Sequence, residues 1–346
     1  MSLNELIEIS KYIGLNYSYV QAGSGNTSVK IDDEVMLVKS SGSLLAEMNE
    51  NRGWTKVNYK KIKEELLSLT EKGQELEEKA NQIIKESQLE SHGRPSIETF
   101  LHVLLNKYVL HYHPIKINAL LCSNHSEELI DSVFHKDKEE YVFVDYFKPG
   151  ITLALEMTKK IQKSGKIPQV VFLKNHGVIV SADSLEELIS VNERINKRAG
   201  VMDEYSLPYQ IYKKVNHFYN ENIVVMMSED KVISKYLERD FFYQEALNPD
   251  YVVYCSFKPV RTSLKTIEQD FNKHFEQYGD YPKVINIDHH IFIISYNMSK
   301  AKQAEEILKS QLMIFEEGSS KGFKTLNFDQ MKVLNDWEAE KYRQKV

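Results

Sequence analysis

Cysteine is almost missing from this sequence: Cys122 and Cys255 are the only two, far apart and each inside an apolar run. That excludes a disulfide scaffold or a cysteine-rich metal centre and fits a reducing compartment. Long apolar runs are missing as well, and none approaches the roughly 18 residues that a membrane-spanning helix needs. The opening stretch MSLNELIEISKYIGL carries Glu5 and Glu8, so it has neither the basic start nor the apolar middle of a signal peptide. Nor is there an excess of positive charge. The formal net charge is −6, and such a surface repels nucleic-acid backbones and anionic lipid. Neither nucleic acid nor membrane is an expected partner, and a soluble, cytoplasmic protein is the expectation. No G-x-G-x-x-G follows a strand, so a dinucleotide fingerprint is lacking, as are internal repeats and low-complexity linkers.

What is present is an ordinary globular balance, 42% hydrophobic and 27% charged over 346 residues. That length suggests a large domain and a smaller one, divided into 1–215 and 216–346. Residues 2–21 read as an amphipathic helix, followed by the Gly-rich turn AGSGNTS. TSVKI and VMLVKSS, separated by the acidic turn DDE, read as a strand pair. Residues 58–90 read as a solvated helical pair, and a helix starting near Pro95 and Ser96 is expected to run to Asn106. VLHYHP reads as a strand closed by Pro114, YVFVDYF as another, and ITLALEMTKKIQKSG as a helix ending at Gly165. VVFLKNHGVIVSA reads as a buried strand interrupted by Asn-His-Gly, with a helix over 184–203. A Tyr-rich, loop-like stretch around 205–220 precedes a second α/β unit with helices near 264–277 and 299–316 and a helical tail.

Chemistry concentrates at a few positions. Residues two apart on a strand project to one face, so His111 and His113 can reach one ion. An open tetrahedral zinc site needs about three protein ligands, leaving a position for water or substrate. His176 lies where Asn-His-Gly breaks an apolar strand, and a glycine there permits close backbone approach. Taken singly, H-x-H can be a surface or core pair and His176 a satisfied buried histidine. Glu98 and His102 are i, i+4 on one helix face, either an exposed pair or an acid/base beside a metal. Burial would raise the Glu98 pKa, and a neighbouring cation would lower it. Gly23-Ser24-Gly25-Asn26-Thr27 and Ser40-Ser41-Gly42 offer N–H groups and hydroxyls that can cradle phosphate, and one hairpin separates them.

The order of these motifs resembles the class II aldolase/adducin superfamily: Gly-Asn-x-Ser-Val, Ser-Ser-Gly, Ser-x-Glu-x-x-x-His, His-x-His-Pro, then Asn-His-Gly. That superfamily includes fuculose- and rhamnulose-1-phosphate aldolases and ribulose-5-phosphate 4-epimerases. The resemblance implies a three-layer α/β/α fold around a mainly antiparallel sheet, with the smaller α/β unit C-terminal to it. It implies that His111, His113 and His176 bind one zinc ion per chain, or another divalent metal, and that Glu98 is the catalytic acid/base. Substrate phosphate would be held by Gly25, Asn26, Ser41, Gly42 and Ser96. Two hydroxyls of the family pattern are lost, because Ile97 stands for a serine and Gly23 for a threonine. A tyrosine from a neighbouring subunit donates a proton in the family, with Tyr141 and Tyr146 in the right region. GRPSIETFLH, LNPDYVVY, YPKVINIDHHIFIIS and LNDWEAEKYR are similar to a longer branch whose members often fuse this unit to a short-chain dehydrogenase, which this sequence stops before. The expected activity is retro-aldol cleavage of a ketose phosphate or related sugar through a metal-bound enediolate, in a homo-oligomer, a tetramer in the family. Epimerase or decarboxylase chemistry on the same site, and a non-catalytic adducin-like interaction domain, are the alternatives. His289-His290 and Trp337 are expected to be structural.

Overall fold

The computed structural model describes residues 2–90, 93–134, 141–318, 320 and 322–336. The chain divides into two compact units, 1–205 and 206–346. Sequence reasoning set the division at 215. The residues between form a helix that packs with the second unit.

In the first unit, α1 (Ser2–Gly14) leads to β1 (Asn26–Lys30), β2 (Val35–Lys39) and β3 (Trp54–Asn58). Helices α2 (Tyr59–Ser68), α3 (Gly73–Ser87) and the single turn α4 (Thr99–His102) follow. Then come β4 (Tyr108–Tyr112), α5 (Ile115–Leu121), α6 (Ser126–Phe134), β5 (Tyr141–Val144) and α7 (Ile151–Ser164). β6 (Val170–Leu173), β7 (Gly177–Ala182) and α8 (Leu185–Arg198) complete it. The seven strands run in the order β3-β2-β1-β4-β7-β6-β5, antiparallel throughout except for the β5–β6 pair. This is the expected α/β fold with a mainly antiparallel sheet.

Both faces of the sheet are covered, which is why its inner strands read as unbroken apolar runs rather than alternating ones. On one face Met36, Val38, Val109 and Ile179 meet the buried sides of α2, α3, α4 and α7. On the other, Thr27 bonds Ser10 of α1 and Tyr112 bonds Asn196 of α8. Helices α2 and α3 are amphipathic covers, and the charge run between 58 and 90 is their wet side. Asn58 caps α2 by accepting from the Lys61 amide, and Gly165 ends α7 in the left-handed conformation that glycine adopts without steric cost.

Three expected elements differ. α1 stops at Gly14 rather than near 21, and Gly14 lies so close to the 45–46 backbone that a side chain there would meet the Ala46 amide 2.4 Å away. The helix expected from 95 to 106 is only one turn, with Ser96 and Glu98 in the turn before it. The Asn-His-Gly interruption is a hairpin turn joining two antiparallel strands.

The second unit holds α9 (Leu207–Val215), β8 (Val224–Ser228), α10 (Lys231–Lys235), α11 (Pro249–Cys255) and β9 (Val260–Thr262). α12 (Ile267–Tyr278), β10 (Val284–Ile287), β11 (His290–Ser295), α13 (Met298–Gly318) and α14 (Phe328–Asp336) follow. Its sheet, β8-β11-β10-β9, has a separate core in which α9 and α12 cover Val225, Ile285, Phe292 and Ile294. The stretch read as loop-like thus contains α9, whose Pro208 sits in the first turn. His289 lies in the β10–β11 turn against Glu238, at 3.1 Å, and Trp337 lies outside the described residues.

Candidate active site

The sheet topology brings the distant motifs to one place. β4 lies between β1 and β7, antiparallel to both, so the end of β4 coincides with the beginnings of its two neighbours. Asn26 is opposite His111 and Val178 is opposite Tyr112. The Gly-rich loop before β1, the His-x-His at the end of β4 and His176 just before β7 therefore share one end of the sheet. Glycines allow the close approach. A Cβ at Gly25 would stand 3.0 Å from the His111 carbonyl oxygen, and one at Gly177 only 2.5 Å from that of Tyr112 and 2.7 Å from the His113 ring.

His111, His113 and His176 converge. Their ring centroids are 4.9–5.1 Å apart pairwise, and one ligand-capable nitrogen from each lies within 4.8 Å of the others. His111 is fully buried and donates from Nδ1 to the Val178 carbonyl at 3.2 Å, which leaves Nε2 as the free lone pair. That Nε2 is 3.4 Å from Nε2 of His113. Burial, with His111 and His176 adding to it, lowers the His113 pKa to about 3, so its ring is neutral, the form that ligates. His176 Nδ1 is buried without a hydrogen-bond partner among the described residues. Three imidazole nitrogens turned toward one point form a donor set that fits a zinc-like divalent ion.

Glu98 completes the cluster, its Oε1 3.2 Å from Nε2 of His176 and 3.6 Å from Nε2 of His111. Burial pushes its pKa up, but His111 and His176 together outweigh that and hold the carboxyl well below the usual carboxylate range. It is a carboxylate, not a neutral acid. Its position is set by the turn before α4, where Ser96 Oγ accepts from the Glu98 amide at 3.2 Å. His102, one turn on, is fully buried and bonds Ser28 of β1 through Nδ1 at 2.8 Å, so it anchors that turn to the sheet rather than pairing with Glu98.

The remaining predicted residues gather around this centre. The Ser41 amide donates to the Arg94 carbonyl at 2.7 Å and Ser40 pairs with Pro95, so the Ser-Ser-Gly turn lies beside the turn that carries Ser96 and Glu98. Gly42 adopts φ +80° with open space around it. Asn26 is buried, and its Oδ1 has no partner among the described residues. Ile97 packs against Gly150. Sequence reasoning missed Lys39, the last residue of β2. Its buried ammonium donates to the Gly23 carbonyl at 3.2 Å; burial lowers its pKa, and Glu98 opposes that. A lysine ending an apolar strand directly before Ser-Ser-Gly was the available signal. Of the two candidate tyrosines, Tyr141 donates to Asp131 at 2.8 Å, and Tyr146 is exposed.

Residues 4–202 match the Class II Aldolase and Adducin N-terminal domain. The chain belongs to that family. A solved structure titled the N-terminal class II aldolase domain of a conserved protein from Thermoplasma acidophilum is 27% identical, with a TM-score of 0.50. It is matched over 92% of its length and 58% of this chain. Among curated proteins, a relative from Bacillus subtilis named uncharacterized oxidoreductase YuxG is 28% identical over 218 residues. These are 56% of this chain but only 30% of that protein. A Haemophilus influenzae protein named 3-oxo-tetronate 4-phosphate decarboxylase is 23% identical over 192 residues, 52% of this chain and 77% of its own length. No helix among the described residues is long and apolar enough to cross a membrane.

Proposed function

We propose that this class II aldolase family member is a zinc-dependent lyase that splits a ketose phosphate, or a related sugar, by retro-aldol cleavage. The observation that carries the reading is the convergence of three imidazoles and one carboxylate at the end of the sheet. His111, His113 and His176 would hold the metal, which supplies a Lewis acid for the negative charge that bond cleavage leaves beside a carbonyl. Glu98, ionised and next to that centre, takes or returns the proton at the carbon adjoining the carbonyl. Asn26, Ser41, Ser96 and the backbone at Gly25 and Gly42 orient the anionic end of the substrate. Lys39, whose ammonium donates to the Gly23 carbonyl, places a cationic side chain beside these loops, where the hydroxyls at positions 23 and 97 are missing.

A second reading, decarboxylation, is favoured by the name of the Haemophilus influenzae relative. Both begin by placing charge beside a carbonyl, and so does 4-epimerisation. Products separate them. A screen of ketose 1-phosphates and their unphosphorylated partners, with bound metal measured on the same sample, is expected to release an aldehyde from the phosphorylated set. Carbon dioxide release from a phosphorylated 3-oxo acid without aldehyde would favour the decarboxylase, and epimer formation with all carbons retained the epimerase. A metal-free, inactive protein would return the non-catalytic adducin-like reading. The tetramer is carried over from the family resemblance and would be measured by light scattering.

A further inference from the structure

The third imidazole stands on an unusual piece of backbone. Asn175 adopts φ +56°, a left-handed conformation that asparagine tolerates, and the turn 174–177 built on it is tied from outside by hydrogen bonds to a neighbouring helix. That helix is α5. The Asn175 amide donates to the Leu121 carbonyl at 3.2 Å, at the end of α5, and Asn118 Nδ2 donates to the main-chain carbonyl of His176 at 3.1 Å. α5 starts directly after His113-Pro114, and the Asn118 amide donates back to Pro114 at 2.7 Å. One short helix thus ties the segment bearing the second histidine to the turn bearing the third. Asn118 Oδ1 is buried and has no partner among the described residues, so its amide contact with His176 sets how this side chain is held.

We infer that Asn118 is a positioning residue for the three-histidine centre, fixing His176 relative to His113. The inference rests on the metal reading given above. It predicts an effect on metal affinity that a purely structural residue would not have, because outer-shell contacts to ligating histidines typically change affinity by roughly 10–100-fold. Asn118→Asp keeps the shape but cannot donate to the carbonyl, and Asn118→Leu fills the space without any polar group. Asn58→Ala, which removes the cap of α2 far along the chain, serves as a control that lowers stability without touching the site.

The test is zinc affinity of each purified protein by chelator competition at fixed pH, alongside thermal melting of the metal-free forms. Expected are wild-type zinc affinity in Asn58→Ala and affinity weakened roughly 10–100-fold in both Asn118 variants. Asn118→Asp keeps the test decisive if the leucine variant fails to fold. Wild-type affinity in the Asn118 variants, or equal weakening in Asn58→Ala, would overturn the positioning role while leaving the metal reading intact. A wild type that takes up no zinc would overturn the metal reading itself, and the positioning role with it.

Discussion

A carboxylate 3.2 Å from one imidazole nitrogen and 3.6 Å from another can serve as a proton carrier or as a fourth polar anchor. Glu98→Gln distinguishes the two. It is expected to keep its metal while turnover falls by roughly two to four orders of magnitude, and unchanged turnover would remove Glu98 as the base. Elsewhere Lys11 illustrates a buried charge outside the site. Its ammonium, fully buried, donates to the Ala46 carbonyl at 2.7 Å, and burial lowers its pKa to about 7 despite the opposing pull of Glu47. The folded-state value lies below the unfolded one, so the unfolded chain binds the extra proton between about pH 7 and pH 10.5. This contribution is complete above the unfolded pKa and is lost as pH falls to the folded one. Lys11→Met is therefore expected to gain stability over wild type at pH 7, on the order of a few kcal/mol, with the advantage shrinking by pH 9.5 in denaturant melts. An advantage independent of pH would contradict it. At this scale the histidines and Glu98 were legible because their spacing is short or their setting odd. Lys39 offered only its place before Ser-Ser-Gly and Asn118 no signal at all, since each acts through a main-chain carbonyl that only the folded chain brings near.

Among the elements, the β6–β7 hairpin carries the most constraint. At Gly177 a Cβ would collide with backbone at 2.5 Å and with the His113 ring at 2.7 Å. Gly177→Ala is expected to push β7 from β4, displace His113 and cost metal binding as well as melting temperature. Full zinc stoichiometry and an unshifted melt would contradict that. On the covered face, Leu66 of α2 is buried in the cluster shared with Met36 and Phe100. Leu66→Ala should cost roughly 2–5 kcal/mol in a chemical melt with metal binding retained. Helices with a long amphipathic period, such as α3 and α7, were legible because tertiary packing agrees with their pattern. The one-turn α4 and the helix α9 were not. The first is cut short by the bends at Val103–Asn106; the second carries Leu207, Ile211 and Val215 at helical spacing, a period that the Tyr-rich reading of the stretch passed over.

For the whole molecule, the seven-stranded order was not derivable from strand patterns alone, because a sheet buried on both faces erases the alternation that marks its register. The motif order resembled a family, and that resemblance supplied the fold. The second unit has its own core, and its role is unassigned by any motif. If the three histidines hold an ion in the folded state only, metal removal by a chelator should lower the melting temperature, equivalent to about 2.7 kcal/mol at a free metal concentration 100-fold above the dissociation constant. The most direct test is the metal content of the purified chain and of its His111→Ala and His176→Ala variants by elemental analysis. The account predicts close to one divalent ion per wild-type chain and little in either variant. A metal-free wild type that still cleaves sugar phosphates would contradict it.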